Sequence, residues 1–242
     1  MPDLSERQAK LLQVIIDEYV ATAEPVGSET IVKKFDLGVS PATIRNDMVR
    51  LAEEGYLEKS YSSSGRVPTP LGFRFYIKTL MAEKKLPVAS EVALRQRLYE
   101  KRFKEEDFLR DAVSALATET NKMAMGSIEN GPFYYAGIAN ILDAPEFFDI
   151  DLTKTVLGLL DQQEYLWNML SKVVSDEPVT VLIGDESGMQ MMRPCSIVFS
   201  KYQLGNREGY VGILGPARMK YPQVVPTVRY IRNLIEELLG NW

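Results

Sequence analysis

The chain has 242 residues, of which 45% are hydrophobic and 25% are charged, a composition typical of globular proteins. At roughly 150 residues per domain, this length predicts one or two domains. No run of residues approaches the roughly 18 consecutive apolar positions of a membrane-spanning helix, and the first residues lack the features of a secretory signal. The sequence therefore predicts a soluble, cytoplasmic protein.

The scarcity of two residue types excludes most catalytic chemistry. The sequence contains no histidine, so histidine-based acid–base catalysis and imidazole metal sites are excluded. Cys195 is the only cysteine, which excludes an intramolecular disulfide and a cysteine-rich metal cluster. We interpret this single cysteine, in a predicted strand, as a small buried side chain rather than a nucleophile. We expect no enzymatic activity and no cofactor.

Charge is distributed unevenly along the chain. The 28 basic and 33 acidic side chains give a net charge of −5, which by itself argues against a polyanionic partner. Residues 40–85, however, contain eight basic and five acidic side chains, whereas residues 86–242 contain 16 basic and 21 acidic ones. The basic segment predicts a local phosphate-binding surface in an otherwise acidic protein.

Three helices are predicted near the N-terminus. The first covers residues 5–22, with Ser5 as its N-cap. The second covers residues 29–35 behind Ser28 as its cap, and the third covers residues 42–54 behind Ser40 and Pro41. Two short helices joined by a glycine-containing turn are typical of a helix-turn-helix motif.

The third helix has two chemically different faces. Ile44, Met48 and Leu51 recur at helical spacing and are predicted to face the core. The outward positions include Thr43, Arg45, Asn46 and Arg50, residue types that read base edges in a DNA groove. Taken alone, the same pattern is equally compatible with an ordinary solvated helix face.

The residues after this helix predict a β-hairpin. Residues 56–61 have strand character, residues 62–65 form a polar turn, and residues 66–68 return as a second strand. A hairpin in this position is the wing of a winged helix, although a flexible serine-rich loop is the alternative interpretation. A further helix is predicted over residues 70–85, capped by Thr69. Together, the helix and the wing supply the candidate DNA-binding residues, which are Ser40, Thr43, Arg45, Asn46, Arg50, Lys59, Ser63, Ser64, Gly65 and Arg66.

The remaining sequence predicts a second domain. Residues 1–85 are assigned to the winged helix, and residues 86–120 to a linker and one or two amphipathic helices that either mediate dimerisation or pack against the following sheet. Residues 121–242 alternate strand patterns with helices over 151–174 and 224–239. The fold class is therefore α+β, with a mainly antiparallel sheet in the second domain.

Eight segments, in order along the chain, resemble the heat-inducible transcription repressor family HrcA. Four belong to the winged helix: LSERQ (residues 4–8), EPVGS (24–28), VSPATIRNDM (39–48) and SSGRVPT (63–69). Four belong to the second domain: NILDAPEF (140–147), IGDE (183–186), CSIV (195–198) and GILGPARMKY (212–221). Since the segment between the two groups is short for this family, the chain resembles a shortened member that lacks the usual middle insert.

The resemblance implies a fold, a function and partners. The C-terminal domain would be GAF-like, and the protein would repress heat-shock chaperone operons by binding double-stranded DNA at an inverted-repeat operator as a homodimer. The GroE chaperonin would be a further partner, since the family depends on it for its active state. Two alternatives remain open, namely a winged-helix regulator whose C-terminal domain senses a metabolite, and a protein-interaction module.

Two clusters in the second domain have competing interpretations. Gly215 and Pro216 beside Arg218 have the chemistry to bind an anion, but we favour an ordinary turn in which Arg218 pairs with Asp185 or Glu186. The two carboxylates have no further acidic partners nearby in sequence, so we expect neither a catalytic dyad nor a metal site there.

Overall fold

The chain separates into two units, Met1–Ala82 and Glu83–Trp242, in the computed structural model. The structure describes residues 4–35, 38–60, 65–173 and 177–240. Among the helices of these residues, none is both long enough and apolar enough to cross a membrane.

The first helix of the N-terminal unit begins where its capping residues predict. α1 covers Glu6–Thr22, and the Ser5 hydroxyl oxygen accepts a hydrogen bond from the Gln8 backbone N–H, while the Gln8 side chain accepts from the Ser5 N–H. This reciprocal capping satisfies two backbone donors that the helix itself leaves open. The buried face of α1, including Leu12, Ile15 and Ile16, forms the core of the unit.

The second helix begins one residue earlier than predicted. α2 covers Ser28–Lys34 with Gly27 at the N-cap, so Ser28 is helical and its side chain makes no capping bond. A tertiary contact sets this start, because Val26 pairs with Arg66 of the hairpin through two 2.9 Å backbone hydrogen bonds. This pairing keeps the backbone extended as far as Gly27, where the helix starts.

The third helix starts behind the predicted cap and ends one residue before the predicted end. α3 covers Pro41–Glu53, the Ser40 hydroxyl accepts from the Thr43 N–H at 3.2 Å, and Pro41 occupies the first helical position. The helix ends before Gly55, whose φ of +82° lies in the left-handed region that glycine adopts without strain.

The predicted hairpin is present but shorter. β1 (Leu57–Lys59) pairs antiparallel with β2 (Arg66–Pro68), which places Lys59 opposite Arg66. Tyr56 is not part of the ladder, because its N–H donates to the Leu51 carbonyl and its own carbonyl accepts from Thr69. Of the predicted turn over residues 62–65, residues 62–64, which include Ser63 and Ser64, lie outside the described residues.

The prediction of one helix over residues 70–85 is wrong in its second half. α4 covers Pro70–Phe75, with Thr69 as its N-cap, and continues as one π-helical stretch, Tyr76–Leu80. The chain then leaves the helix, because Lys84 donates its N–H to the Pro222 carbonyl at 2.8 Å and Glu83 pairs with Arg229. Both of these contacts lie within the C-terminal unit.

The C-terminal unit is an α+β structure built on a five-stranded antiparallel sheet. Two helices precede it, α5 (Val88–Tyr99) and α6 (Glu105–Thr120), and α6 packs on the sheet. The strand order is β4-β3-β7-β6-β5, the GAF-like arrangement. The strands are β3 (Met123–Ile128), β4 (Phe133–Ala136), β5 (Thr180–Ile183), β6 (Cys195–Leu204) and β7 (Arg207–Pro216).

Helices complete the core of this unit on the sheet. The single helix predicted over residues 151–174 is divided into α7 (Ile150–Asp161) and α8 (Gln163–Ser171), because the backbone at Gln162 is not helical. These helices bury leucines and Val156 in the same cluster as Phe199 and Tyr210. The last helix, α9 (Tyr221–Leu239), packs on β6 and on α6, and it begins three residues earlier than predicted.

Candidate nucleic-acid interface

The two faces of α3 differ as predicted. Ile44, Met48 and Leu51 are each at most 4% exposed and pack towards the core, where α1 and α2 contact α3. Arg45, Asn46 and Arg50 are exposed. The buried stripe fixes the helix by hydrophobic burial, so its other face is presented to the solvent as a row of polar and basic side chains.

The exposed side chains of α3 keep their hydrogen-bonding capacity. Within the described part of the chain, Arg45, Asn46 and Arg50 make no side-chain hydrogen bond or ion pair. An arginine fork matches the two acceptors of guanine in the major groove, and an asparagine amide matches adenine. The arrangement therefore suits base recognition without first requiring an internal ion pair to break.

Ser40 and Thr43 occupy the N-terminal turn of α3, where they cap the helix. The Thr43 N–H donates to the Ser40 hydroxyl oxygen. The hydroxyl oxygens of Ser40 and Thr43 are also 3.0 Å apart, within hydrogen-bond distance of each other. Loss of such a cap typically costs about 1 kcal/mol. Both residues thus have a structural function, and their contact with DNA stays a prediction.

A groove of about 710 Å³ lies between α2, α3 and the hairpin. It brings together four of the candidate residues, namely Arg45, Lys59, Gly65 and Arg66. Among the described residues that line it, three are cationic and one, Glu29, is acidic. The hydroxyls of Ser28 and Thr30, which sequence reasoning did not single out, also line this groove. The wing and the recognition helix therefore form one continuous, mainly basic surface.

Gly65 fixes the wing against the turn that precedes α2. It is buried, and a Cβ atom built on it would lie 2.8 Å from the Pro25 Cβ and 2.9 Å from the Pro25 carbonyl carbon. Only glycine allows this close approach. The structure thus gives Gly65 a packing function, whereas its predicted approach to a DNA phosphate is not tested.

An ion pair that the sequence analysis missed joins α3 to α1. Arg7 donates through Nε to Asp47 Oδ2 at 2.7 Å and through Nη2 to Oδ1 at 3.2 Å. The Asp47 carboxylate is 4% exposed, and its hydrogen bond raises the pKa of Arg7. Asp47 lies three residues after Ile44 and four before Leu51, so helical spacing places it on the same face as these apolar residues. This spacing could have predicted from the sequence that Asp47 is buried and needs a partner.

Two interpretations of the C-terminal unit can be compared with the structure. Cys195 is buried, as predicted, and burial raises the pKa of its thiol to about 12, so the thiolate form is disfavoured. The predicted pairing of Arg218 is wrong, because its guanidinium binds Glu146 instead, at 2.6 Å and 3.1 Å. Glu186 instead accepts a hydrogen bond from the backbone N–H of Ile183.

Within the described ranges, no cluster of three potential metal ligands is present.

The fold and the surface together define a class of protein: a winged helix-turn-helix unit followed by a GAF-like α+β unit. The profile of the HrcA protein C-terminal domain matches residues 72–225, and that of the DeoR-like helix-turn-helix domain matches residues 7–65. The first match covers more than half of the chain. This chain belongs to the HrcA family.

Two relatives align with this chain almost from end to end. The heat-inducible transcription repressor HrcA of Carboxydothermus hydrogenoformans is 27% identical, with 98% of this chain and 99% of the relative covered. That of Brevibacillus brevis is 29% identical, with 98% of each chain covered. These alignments run over 340 and 338 positions, whereas this chain has 242 residues, so the relatives contain residues without a counterpart here. This confirms that the chain is a shortened member.

A solved structure shows the same fold. A crystal structure described as that of a hypothetical protein superposes with a TM-score of 0.78 at 19% sequence identity, and the match covers 99% of both chains. The agreement extends over both units of the fold.

Proposed function

We propose that this protein is a sequence-specific DNA-binding repressor that controls transcription of heat-shock chaperone operons. The observation that carries the proposal is the row of exposed, internally unpaired side chains on α3, which continues into a basic groove shared with the wing. Membership of the HrcA family supports the same function, since the relatives are named heat-inducible transcription repressors. The function is not catalytic.

The recognition step follows from the chemistry of this surface. α3 enters the major groove, where Arg45 and Arg50 donate to guanine O6 and N7 or to phosphates, and Asn46 pairs with adenine. Lys59 and Arg66, facing each other across the hairpin, contact the flanking backbone or the minor groove. Ser63 and Ser64, which lie outside the described residues, are assigned to the same contacts from the sequence alone.

The fold prepares this surface before DNA arrives. The Ser40 cap and the Arg7–Asp47 pair fix the start and the rotation of α3, and the close contact between Gly65 and Pro25 fixes the wing. Contacts that are already in position require little ordering of the protein when the complex forms. Residues that never touch DNA therefore contribute to its affinity.

Repression would act by occlusion of the promoter by a homodimer. A two-fold symmetric dimer matches an inverted-repeat operator, with recognition helices about 34 Å apart or a multiple of that distance. We assign the winged helix to residues 1–85, a linker and amphipathic helices to residues 86–120, and the GAF-like domain to residues 121–242. Of the two roles open to the helices over 86–120, α6 packs on the sheet, and dimerisation through them stays a proposal. Such a repressor acts in the cytoplasm, and we include the GroE chaperonin as a partner on the family resemblance alone.

The test is fluorescence anisotropy of the full chain on a labelled inverted-repeat duplex and on a scrambled duplex, each over a series of salt concentrations. A specific repressor binds its operator typically ~10³-fold or more tightly than unrelated DNA. Its affinity also falls steeply with salt, because bound phosphates release counterions.

The outcome distinguishes the proposal from its alternatives. A large operator preference with a steep salt dependence supports it. Equal and weak binding to both duplexes, in the presence and absence of chaperonin, would contradict it and favour a protein partner for the winged helix.

A further inference from the structure

A second pocket lies entirely within the C-terminal unit, between the end of α6, the start of β3, the end of β7 and the first turns of α9. Its volume is about 360 Å³, at the lower end of the ~300–1,000 Å³ range of small-molecule sites. Its charged lining residues are the cations Lys122, Arg218 and Lys220 and the acids Glu119 and Asp143. Nothing in the DNA-binding proposal uses this pocket.

Three cationic side chains converge on the pocket. The Arg218 guanidinium is tied to Glu146, which fixes its position and neutralises its charge locally, so the unpaired cations of this pocket, among the residues described, are the two lysines. Within the described ranges, the exposed side chain of Lys220 has no hydrogen-bond or ion-pair partner. The Lys122 ammonium is held at 3.0 Å from the Asn121 carbonyl oxygen, which leaves two of its three N–H donors unused in the described structure.

The charge on Lys122 is incompletely compensated. Burial lowers the pKa of Lys122, and the nearby cations Arg218 and Lys220 lower it further, whereas Asp143 and Glu146 oppose this shift. Glu146 is paired with Arg218, whereas Asp143 accepts only a neutral amide, from Asn121 at 3.1 Å, and still compensates part of the Lys122 charge. An anion placed between the two lysines would relieve this repulsion.

The remainder of the lining is partly apolar. Ala144, Pro216 and Val224 contribute hydrocarbon surface, and Ala144 and Val224 are buried. Sites for small organic molecules typically combine apolar walls with a few convergent polar groups. A ligand with one anionic end and a short hydrocarbon body fits both parts of this lining.

We propose that this pocket binds a small organic anion, with its carboxylate or phosphate group between Lys122 and Lys220 and its body against Pro216 and Val224. Arg218 forms part of the wall but keeps Glu146 as its partner. The site is independent of the DNA-binding surface, so its existence does not depend on the proposed repressor function.

The experiment is isothermal titration of the full chain with inorganic phosphate and, separately, with succinate. Lys122→Met and Lys220→Met remove one positive charge each while retaining the hydrocarbon stem of the side chain. Lys172→Met is the matched control, because Lys172 is an exposed lysine of the same unit that does not line the pocket. We expect saturable binding to the native chain, about tenfold weaker in each pocket variant and unchanged in the control.

Each result has a defined meaning. Tighter binding of phosphate assigns the site to phosphate esters, and tighter binding of succinate assigns it to carboxylates. Absence of saturable binding of both probes overturns the proposal, as does an equal loss of affinity in Lys172→Met. If thermal unfolding shows that Lys122→Met does not fold, titration of Lys220→Met still decides between these outcomes, because Lys220 is exposed.

Discussion

The two units use the same residue type in opposite ways. In the C-terminal unit, arginines are tied to carboxylates, as in the pairs Arg95–Glu237, Arg207–Glu105, Arg218–Glu146 and Arg229–Glu83. On the outer face of α3, Arg45 and Arg50 point into solvent and, among the described residues, pair with no carboxylate. In the same unit, the pair of Arg7 with Asp47 positions α3.

This contrast explains how an acidic chain presents a DNA-binding surface. A cation that is already paired is neutralised locally and stabilises its own unit, whereas an unpaired guanidinium keeps its five donors for a partner. The net charge of −5 averages over both kinds of residue. The local pairing, and not the total charge, therefore identifies the binding face.

The largest expected effect is on the stability of the C-terminal unit. Arg218 and Glu146 are only 14% and 17% exposed, so Glu146→Ala leaves a nearly buried guanidinium without its main partner. We expect the free energy of unfolding to fall by about 3 kcal/mol. Chemical denaturation followed by the fluorescence of Trp167, which packs against Tyr210, measures this change.

The control for this prediction is an exposed pair of the same unit. Glu105→Gln weakens the bond to Arg207, whose side chain is about half exposed, and we expect a change below about 0.5 kcal/mol. Equal destabilisation by the two substitutions would show that burial does not distinguish these arginines.

The next effect concerns DNA and leaves stability unchanged. Arg45→Ala removes an exposed side chain without an internal partner in the described structure, so we expect an unfolding midpoint close to that of the native chain. Specific operator affinity should fall by ~1–3 kcal/mol if the guanidinium binds a base edge. Anisotropy on operator and scrambled duplexes measures the change. Unaltered affinity together with an unaltered salt dependence would remove Arg45 from the interface.

A smaller effect is expected at the wing. Lys59 lies at the end of β1 opposite Arg66 and lines the basic groove. Lys59→Ala should weaken binding to all duplexes alike and lower the slope of log affinity against log salt by about 1, because one phosphate contact is lost. A selective loss on the operator alone would instead assign Lys59 to base recognition.

The smallest effect is a pH dependence at the start of the C-terminal unit. The hydrogen bonds from Arg229 hold the pKa of Glu83 below its ordinary value of 4.5, although burial opposes this shift. A lowered pKa in the folded state means that the pair stabilises the unit above pH 4.5 and that this contribution is lost as the pH falls through the lowered value. Glu83→Gln should therefore be less stable than the native chain at neutral pH.

The two proteins should become equally stable in acid. Thermal unfolding midpoints measured from neutral pH downwards test this convergence. A difference that stays constant on acidification would show that the Glu83 carboxylate does not contribute through its charge.

Local signals predicted one part of the fold well. The caps at Ser5, Ser40 and Thr69 fix the starts of three helices through bonds to residues three positions away, and those starts are confirmed. The apolar stripe of α3 is equally local, since it depends only on helical periodicity. Both α3 and the exposure of Arg45, Asn46 and Arg50 on its outer face could therefore be predicted from the sequence.

Features set by distant residues could not be predicted in this way. The end of the helix after Pro70 depends on Lys84 bonding to Pro222, and the partner of Arg218 lies 72 positions away at Glu146. The pocket around Lys122 likewise forms only when α6, β3, β7 and α9 meet. No spacing rule connects such positions.

The most direct test of the central claim is protection of a single thiol on α3. Because Cys195 is buried and its thiol pKa is raised, Asn46→Cys introduces the one readily alkylated thiol of the folded chain. We predict that saturating operator DNA slows its alkylation and that scrambled DNA at the same concentration does not. The thiol of the control variant Lys172→Cys should be alkylated at the same rate with operator DNA and with scrambled DNA. Equal alkylation of Asn46→Cys in free and operator-bound protein would contradict the account, because α3 would then lie outside the interface.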